Sequence, residues 1–247
     1  MPPTPASEPE TFGIDVTPTE RVTAIVYPAA ARDRAGITLI LGHGAGASQT
    51  SGFMVQFATA LAARGIDAVT FNFVYSEARK RVPDRNDKLE ACYRKVIDTV
   101  RERAERSDDP GKLFIGGKLF IGGKSMGGRI ASQVAAASDD GIAGLVFLGY
   151  PLHPPGNPEK LRTRHWPAIG VPMLFVQGSR DAFGTPDELR PMMKMLNAPA
   201  DLVVIEGGDH SFKVPKKAGL SQEQVYERVL DTIAQWLRQR IGAAPVS

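Results

Sequence analysis

Lys118-Leu119-Phe120-Ile121-Gly122-Gly123-Lys124-Ser125-Met126-Gly127-Gly128-Arg129-Ile130-Ala131 is the stretch that decides how this chain folds. Leu119, Phe120 and Ile121 form a short apolar run of the kind a buried strand uses. From Ile130 onward the apolar residues Ile130, Ala131, Val134 and Ala135 recur at helical spacing. Between the two lies Gly123-Lys124-Ser125-Met126-Gly127, a Gly-x-Ser-x-Gly sequence in a strand–turn–helix setting. Such a turn holds a serine at its apex, and small neighbours let the start of the helix pass close to the strand. Gly128 extends that small-residue zone. A phosphate-binding Gly-x-x-x-x-Gly-Lys-Ser loop is the rival reading of Gly-Lys-Ser. It needs glycine at position 118, where Lys118 stands, and it would place strand residues inside the loop.

Immediately before this stretch, Gly111–Gly116 reads Gly-Lys-Leu-Phe-Ile-Gly, and Gly117–Gly122 repeats it letter for letter. A single strand from Lys112 to Ile121 would extend about 33 Å, well beyond the usual ~17–20 Å. One copy therefore leaves the sheet. The turn at Ser125 needs a strand directly before it, which predicts the second copy as the strand and the first as displaced upstream.

Working outward, apolar runs alternate with amphipathic ones, the pattern of a mostly parallel sheet covered by helices on both faces. Ile37–Leu41, Ala68–Val74, Gly144–Leu148, Val171–Val176 and Leu202–Ile205 read as strands. Arg21–Tyr27 reads as an earlier one, antiparallel or at the edge. Leu89, Cys92, Tyr93, Val96, Ile97 and Val100 predict a helix over about 84–106. Ser221 and Gln224 form a capping box for a last helix carrying Val225, Val229, Ile233, Trp236 and Leu237 on one face. Residues 1–10 read as a loose tail and 11–247 as a single domain.

Three glycine-rich or polar turns fall where a serine nucleophile would need help. An oxyanion hole takes backbone N–H groups from the residue after the serine and from a loop after an earlier strand. Leu41-Gly42-His43-Gly44-Ala45-Gly46 supplies that loop, which predicts the N–H groups of Met126 and Ala45, with Gly44 second, as donors. His43 reads as a structural, hydrogen-bonded residue beside the cleft. Asp181, in Gly178-Ser179-Arg180-Asp181, follows the run ending at Gln177; His210, in Asp209-His210-Ser211-Phe212, follows the final run. Ser125 as nucleophile, His210 as base and Asp181 as the acid that orients the base stand in the chain order Ser–Asp–His. Asp209 is a poor acid for its immediate neighbour. Its side chain serves the loop.

The residues Gly42–Gly46, Gly123–Arg129, Asp181 and Gly208–Phe212 resemble the α/β-hydrolase superfamily over nearly the whole chain from about residue 20. Three motifs resemble a smaller, dienelactone-hydrolase-like group related to a subunit of the NSL histone-acetyltransferase complex. They are Gly123–Arg129, Tyr150-Pro151-Leu152-His153-Pro154-Pro155-Gly156 and Gly178-Ser179-Arg180-Asp181-Ala182-Phe183-Gly184. The resemblance implies an α/β-hydrolase fold with a catalytic triad and no particular substrate. The repeated hexapeptide departs from the family pattern.

The segment from Pro151 to Gly170, where many relatives carry a helical cap, has only twenty residues here and prolines at 151, 154, 155, 158 and 167. It cannot form a cap domain, so the cleft is expected to be open or covered by one stiff loop, with His153 and Trp166 as candidate lining residues. Esters, thioesters and lactones of small acyl groups fit the expected chemistry; a catalytically silent scaffold that binds other proteins is the alternative. The chemistry needs neither metal nor organic cofactor, and no Cys/His cluster is present to bind one. Thirty Lys and Arg against 27 Asp and Glu leave a net charge of +3, and the basic stretch 79–106 is interleaved with acids. That is a solvated helix face, so no nucleic-acid partner is expected. No apolar run approaches the roughly 18–20 residues of a membrane span. Residues 1–10 lack the basic start and apolar stretch of a signal peptide. With a single cysteine, Cys92, a reducing, cytoplasmic setting is expected. Nothing in the sequence specifies an oligomeric state.

Overall fold

In a computed structural model that describes residues 8–105, 117–215 and 219–242, the apolar runs line up as one eight-stranded sheet. The strands are β1 (Glu10–Thr17), β2 (Glu20–Tyr27), β3 (Ile37–Gly42), β4 (Asp67–Phe71), β5 (Lys118–Lys124), β6 (Ile142–Leu148), β7 (Met173–Gly178) and β8 (Ala200–Ile205). Their spatial order is β1-β2-β4-β3-β5-β6-β7-β8. The first two strands run antiparallel; β4 to β8 pair in parallel with β3 at the heart of the set.

Helices α1 (Gly52–Ala62), α2 (Val74–Glu77), α3 (Asn86–Glu105), α4 (Met126–Ala137), α5 (Pro186–Met193) and α6 (Gln222–Arg240) connect and cover the strands. The period-2 geometry of a strand sends successive side chains to opposite faces, and two cores result. Ile40, Val69, Ile121 and Phe147 pack with Leu89, Tyr93 and Val96 of α3 and Ile130 and Val134 of α4. Leu39, Leu41, Phe120, Val146 and Val176 pack on the other side with Phe57 and Leu61 of α1 and Val229, Ile233 and Leu237 of α6. Both-sided burial explains why these strands read as continuous apolar runs. All six apolar residues expected on the α3 stripe are buried, and α6 opens on the Ser221–Gln224 capping box.

The second hexapeptide copy is the strand: Ile37 to Gly42 pair with Lys118 to Gly123, and β6 pairs on the other side. The first copy, with Leu113, Phe114 and Ile115, lies outside the described residues. Tyr93 secures β5 from α3, its buried hydroxyl sitting 2.7 Å from the Gly122 carbonyl oxygen and 3.0 Å from that of Ile40.

Two expectations are corrected. Glu10 opens β1, which hairpins onto β2 through Pro18 and Thr19 and so occupies the sheet edge outside Arg21–Tyr27. Phe12 and Ile14 point into the core and carried the alternation that marks it. The strand expected over Ala68–Val74 ends at Phe71, because the Phe73 N–H leaves the ladder for the ring of His43 and Val74 begins a helical turn. Between β6 and β7 the only helical element is a 3-10 turn, Trp166–Ala168, so no cap stands there. Among the described residues no helix is long and apolar enough to cross a membrane.

Candidate active site

Ser125 sits at the end of β5 with φ 51° and ψ −114°, one of three non-glycine residues with positive φ among those described. Such a backbone costs on the order of 1–3 kcal/mol and persists only where the surroundings impose it. Here they do. A Cβ on Gly123, itself at φ +150°, would lie 2.2 Å from the Gly42 carbonyl oxygen, and one on Gly127 would lie 2.1 Å from the same atom. Only glycine lets α4 start against β3 at this point. The Ser125 N–H is held by the Leu148 carbonyl at 3.1 Å.

The turn opens into a cleft of about 600 Å³ lined by Gly44, Ala45, Lys124, Ser125, Met126 and His210, among others, within the size range of small-molecule sites. A larger hollow of about 910 Å³ lies between β8 and α6, away from Ser125. Among the described residues that line it there is no serine, cysteine or histidine.

His210 follows β8, and its Nδ1 lies 2.7 Å from Oδ2 of Asp181. Asp181 follows β7 and is buried. Its Oδ2 also accepts from Gln177 Nε2 at 2.8 Å, while its Oδ1 accepts from the Phe183 N–H at 2.8 Å. Where this carboxylate accepts from the ring, Nδ1 of His210 is the donor, and in the neutral imidazole Nε2 then carries the lone pair. Nε2 is shielded from solvent and has no hydrogen-bond partner. The Phe183 ring lies against the imidazole, centroids 4.2 Å apart. Asp209 is engaged elsewhere, its Oδ1 accepting the N–H groups of Ser211 at 2.8 Å and Lys213 at 2.9 Å. Ser125 and His210 line one cleft and Asp181 is hydrogen-bonded to His210, while among the described residues no hydrogen bond joins Ser125 to His210 Nε2.

Met126 is the first residue of α4, and the first four N–H groups of a helix have no partner within it. Opposite, the loop after β3 runs so close that a Cβ on Gly44 would sit 3.7 Å from that of Ser125. Ala45 and Gly44 share the cleft wall with Met126.

Three residues expected near the cleft do not line it. His43 is fully buried beneath the loop. Its Nε2 accepts the Phe73 N–H at 3.3 Å, so the proton is on Nδ1, which donates to the Gly44 carbonyl at 2.8 Å. Burial pushes its pKa down to about 4, and the neutral ring braces the loop from below. His153 is buried against the acid-bearing loop, its ring nitrogens 2.9 Å from the Pro154 carbonyl oxygen and 3.3 Å from Glu188 Oε1. Trp166 folds back into the core, stacking edgewise on Tyr150 and Phe175 and donating Nε1–H to the Tyr150 hydroxyl at 3.0 Å. A large aromatic ring gains more from burial than from a cleft wall, provided its N–H finds an acceptor. Pro151 and Arg162 of the same segment line the cleft instead.

Sequence reasoning also missed Gln177, Lys124 and Arg129. Gln177 is fully buried and ties Asp181 to the Gly184 carbonyl at 2.7 Å. The Lys124 ammonium, though almost fully buried, donates to the His210 carbonyl at 2.6 Å. Burial lowers its pKa to about 8 against the opposing pull of Asp181 and Asp209. Arg129 stands in the first turn of α4, its N–H donating to the Ser125 carbonyl at 3.1 Å.

The decisive comparison is with a protein family, whose model for an alpha/beta hydrolase domain matches residues 35–238. The chain belongs to that family. Solved alpha/beta hydrolases of similar fold include an alpha-beta serine hydrolase homologue from Coxiella burnetii, 18% identical over 94% of this chain and 97% of that one, with TM-score 0.67. Dienelactone hydrolase from Anabaena variabilis is 17% identical over 94% and 98%, also with TM-score 0.67. An a/b serine hydrolase without lid from Xanthomonas campestris is 19% identical over 97% and 98%, again with TM-score 0.67. At such identities the likeness shows the alpha/beta hydrolase fold alone.

Proposed function

We propose that this alpha/beta hydrolase is a serine hydrolase that cleaves ester, thioester or lactone bonds of small acyl substrates. The observation that carries the reading is the His210 Nδ1–Asp181 Oδ2 contact of 2.7 Å, which leaves Nε2 a lone-pair base at the cleft that holds Ser125. Ser125 Oγ would attack the carbonyl carbon while Nε2 takes its proton, and Asp181 holds the imidazole in the required tautomer. The N–H groups of Met126 and Ala45, with Gly44 second, would receive the developing oxyanion. His210 would return the proton to the leaving alkoxide or thiolate, and water would then resolve the acyl-enzyme by the same base. Amides, whose leaving nitrogen must be protonated, fit this site less well. The short segment between β6 and β7 leaves the cleft uncapped, which favours short acyl chains. A long chain finds little apolar wall at about 25 cal/mol per Å².

Labelling with a fluorophosphonate probe tests the reading. Wild-type protein is expected to label at Ser125 and to lose the label on Ser125→Ala. A protein that labels nowhere is the silent scaffold instead, and this proposal then falls. The narrower kinship with the group related to an NSL complex subunit rests on the motifs at 123–129, 150–156 and 178–184, and a cytoplasmic setting on the lone, buried Cys92.

A further inference from the structure

Arg129 and Arg162 both line the Ser125 cleft, and neither has a carboxylate within ion-pair distance among the described residues. Arg129 Nη1 donates to Asn86 Oδ1 at 2.8 Å and Gln133 Oε1 at 3.2 Å; Arg162 Nη1 reaches the Pro151 carbonyl at 3.4 Å. All three acceptors are neutral, and each guanidinium has five N–H groups to satisfy. Burial, and then the Arg162 charge, lower the pKa of Arg129 against the opposing pull of Tyr150 and Glu90, and burial lowers that of Arg162 against Tyr150. A third cation on the wall, Lys124, is committed to the His210 carbonyl. The single carboxylate on the wall, Asp84, is also committed. It accepts the Tyr75 N–H at 2.9 Å and lies 3.8 Å from the Lys88 ammonium.

Two partly desolvated like charges with spare donors are costly when left unneutralised, and an anion between them removes the cost. Guanidinium forks match a carboxylate in geometry as well as in charge. Position matters too. Arg129 N–H donates to the Ser125 carbonyl at 3.1 Å, so Arg129 stands in the first turn of α4 beside the serine. We propose that the substrate carries a carboxylate a few bonds from the carbonyl that Ser125 attacks, as in a hemiester or monothioester of a short dicarboxylic acid, and that Arg129 and Arg162 bind it. This inference rests on the serine-hydrolase reading above.

The test compares monomethyl glutarate and monomethyl adipate with methyl pentanoate and methyl hexanoate, their neutral length matches, by kcat/KM in a pH-stat. Wild type is expected to favour the hemiester by about tenfold or more, as one charge-assisted hydrogen bond supplies, and to lose the preference as salt rises. The hemiester-to-neutral ratio is expected to collapse toward one in Arg162→Gln and to fall partway in Arg129→Lys, which keeps the charge and loses the fork. Independently of turnover, calorimetry on Ser125→Ala is expected to detect binding of monomethyl adipate that Arg162→Gln weakens. A wild-type ratio at or below one, or a ratio unmoved by Arg162→Gln, overturns the carboxylate subsite while leaving the hydrolase intact. No turnover of any ester together with no probe labelling overturns the hydrolase, and the calorimetric arm then decides the subsite alone.

Discussion

The Lys124 ammonium donates a hydrogen bond of 2.6 Å to the backbone carbonyl of His210, crossing from the residue before the turn serine to the histidine loop. Its Nζ lies 5.9 and 6.0 Å from the ring centroids of Phe53 and Phe212. Two segments 86 residues apart in the chain are thereby fixed relative to one another. A lysine so nearly buried pays for its desolvation in its protonation equilibrium.

With the unfolded value at 10.5 and the folded one lowered to about 8, the unfolded chain binds more protons between those pH values. The contribution of Lys124 to stability is therefore present above the unfolded pKa and is lost as pH falls toward the folded one. The difference in unfolding free energy between wild type and Lys124→Met is expected to move in favour of wild type from about pH 8 to 10.5. The slope is at most about 1.4 kcal/mol per pH unit. Urea midpoints of both proteins across that range measure it, and a flat difference would mean that the ammonium is solvated.

Asp181 and Asp209 are separated by their partners. Asp181→Asn is expected to lower kcat by about 10⁴-fold on a model ester, because an amide facing Nδ1 favours the wrong tautomer. Asp209→Asn retains the Oδ1 acceptor for Ser211 and Lys213, so turnover should stay close to wild type. Parallel kinetics on the two variants decide the matter; the reverse outcome would move the acid to Asp209.

Gly127→Ala offers a test with an inverted sign. In an ordinary helix the change stabilises by about 1 kcal/mol. Here the new methyl would meet the Gly42 carbonyl oxygen at 2.1 Å, and a loss of about 1–3 kcal/mol or more is expected, with slower labelling of Ser125. Thermal unfolding reads the sign directly. A higher melting temperature would show that α4 can retreat from β3 at no cost.

Deleting Gly111–Gly116 should leave β5 intact, because all of its pairing with β3 and β6 is made by residues from Lys118 onward. The deletion variant is expected to label with the fluorophosphonate probe at the wild-type rate and to be more soluble, having one apolar β-prone copy fewer. Lost labelling would mean that the first copy is needed to seat Ser125.

Local patterns determined much of this protein. The both-sided apolar runs made the parallel strands legible, and the stripe Leu89–Val100 and the box Ser221–Gln224 made two helices legible, because each is written in contiguous residues with a fixed period. The length limit on a strand removed one hexapeptide copy from the sheet, and the turn at Ser125, which needs a strand directly before it, assigned the second copy to β5. The order Ser125, Asp181, His210, each behind a strand, brought the three candidates together, since in a parallel sheet the loops after the strands open at one edge. Where the sequence was silent, the partner lay far away in the chain or burial decided the matter. Strand β1, which begins at the last residue of what read as a tail, was not seen, and Phe73 gave its N–H to a ring 30 residues earlier. His43, His153 and Trp166 were cleft candidates by position but were drawn into the interior, where each finds partners that no local pattern announces. Lys124, Arg129 and Arg162 looked like ordinary surface charges. Lys124 and Arg129 are near Ser125 by chain position, but only the tertiary structure adds Arg162 to the same wall and withdraws all three from water, because burial and mutual distance are properties of the packed chain.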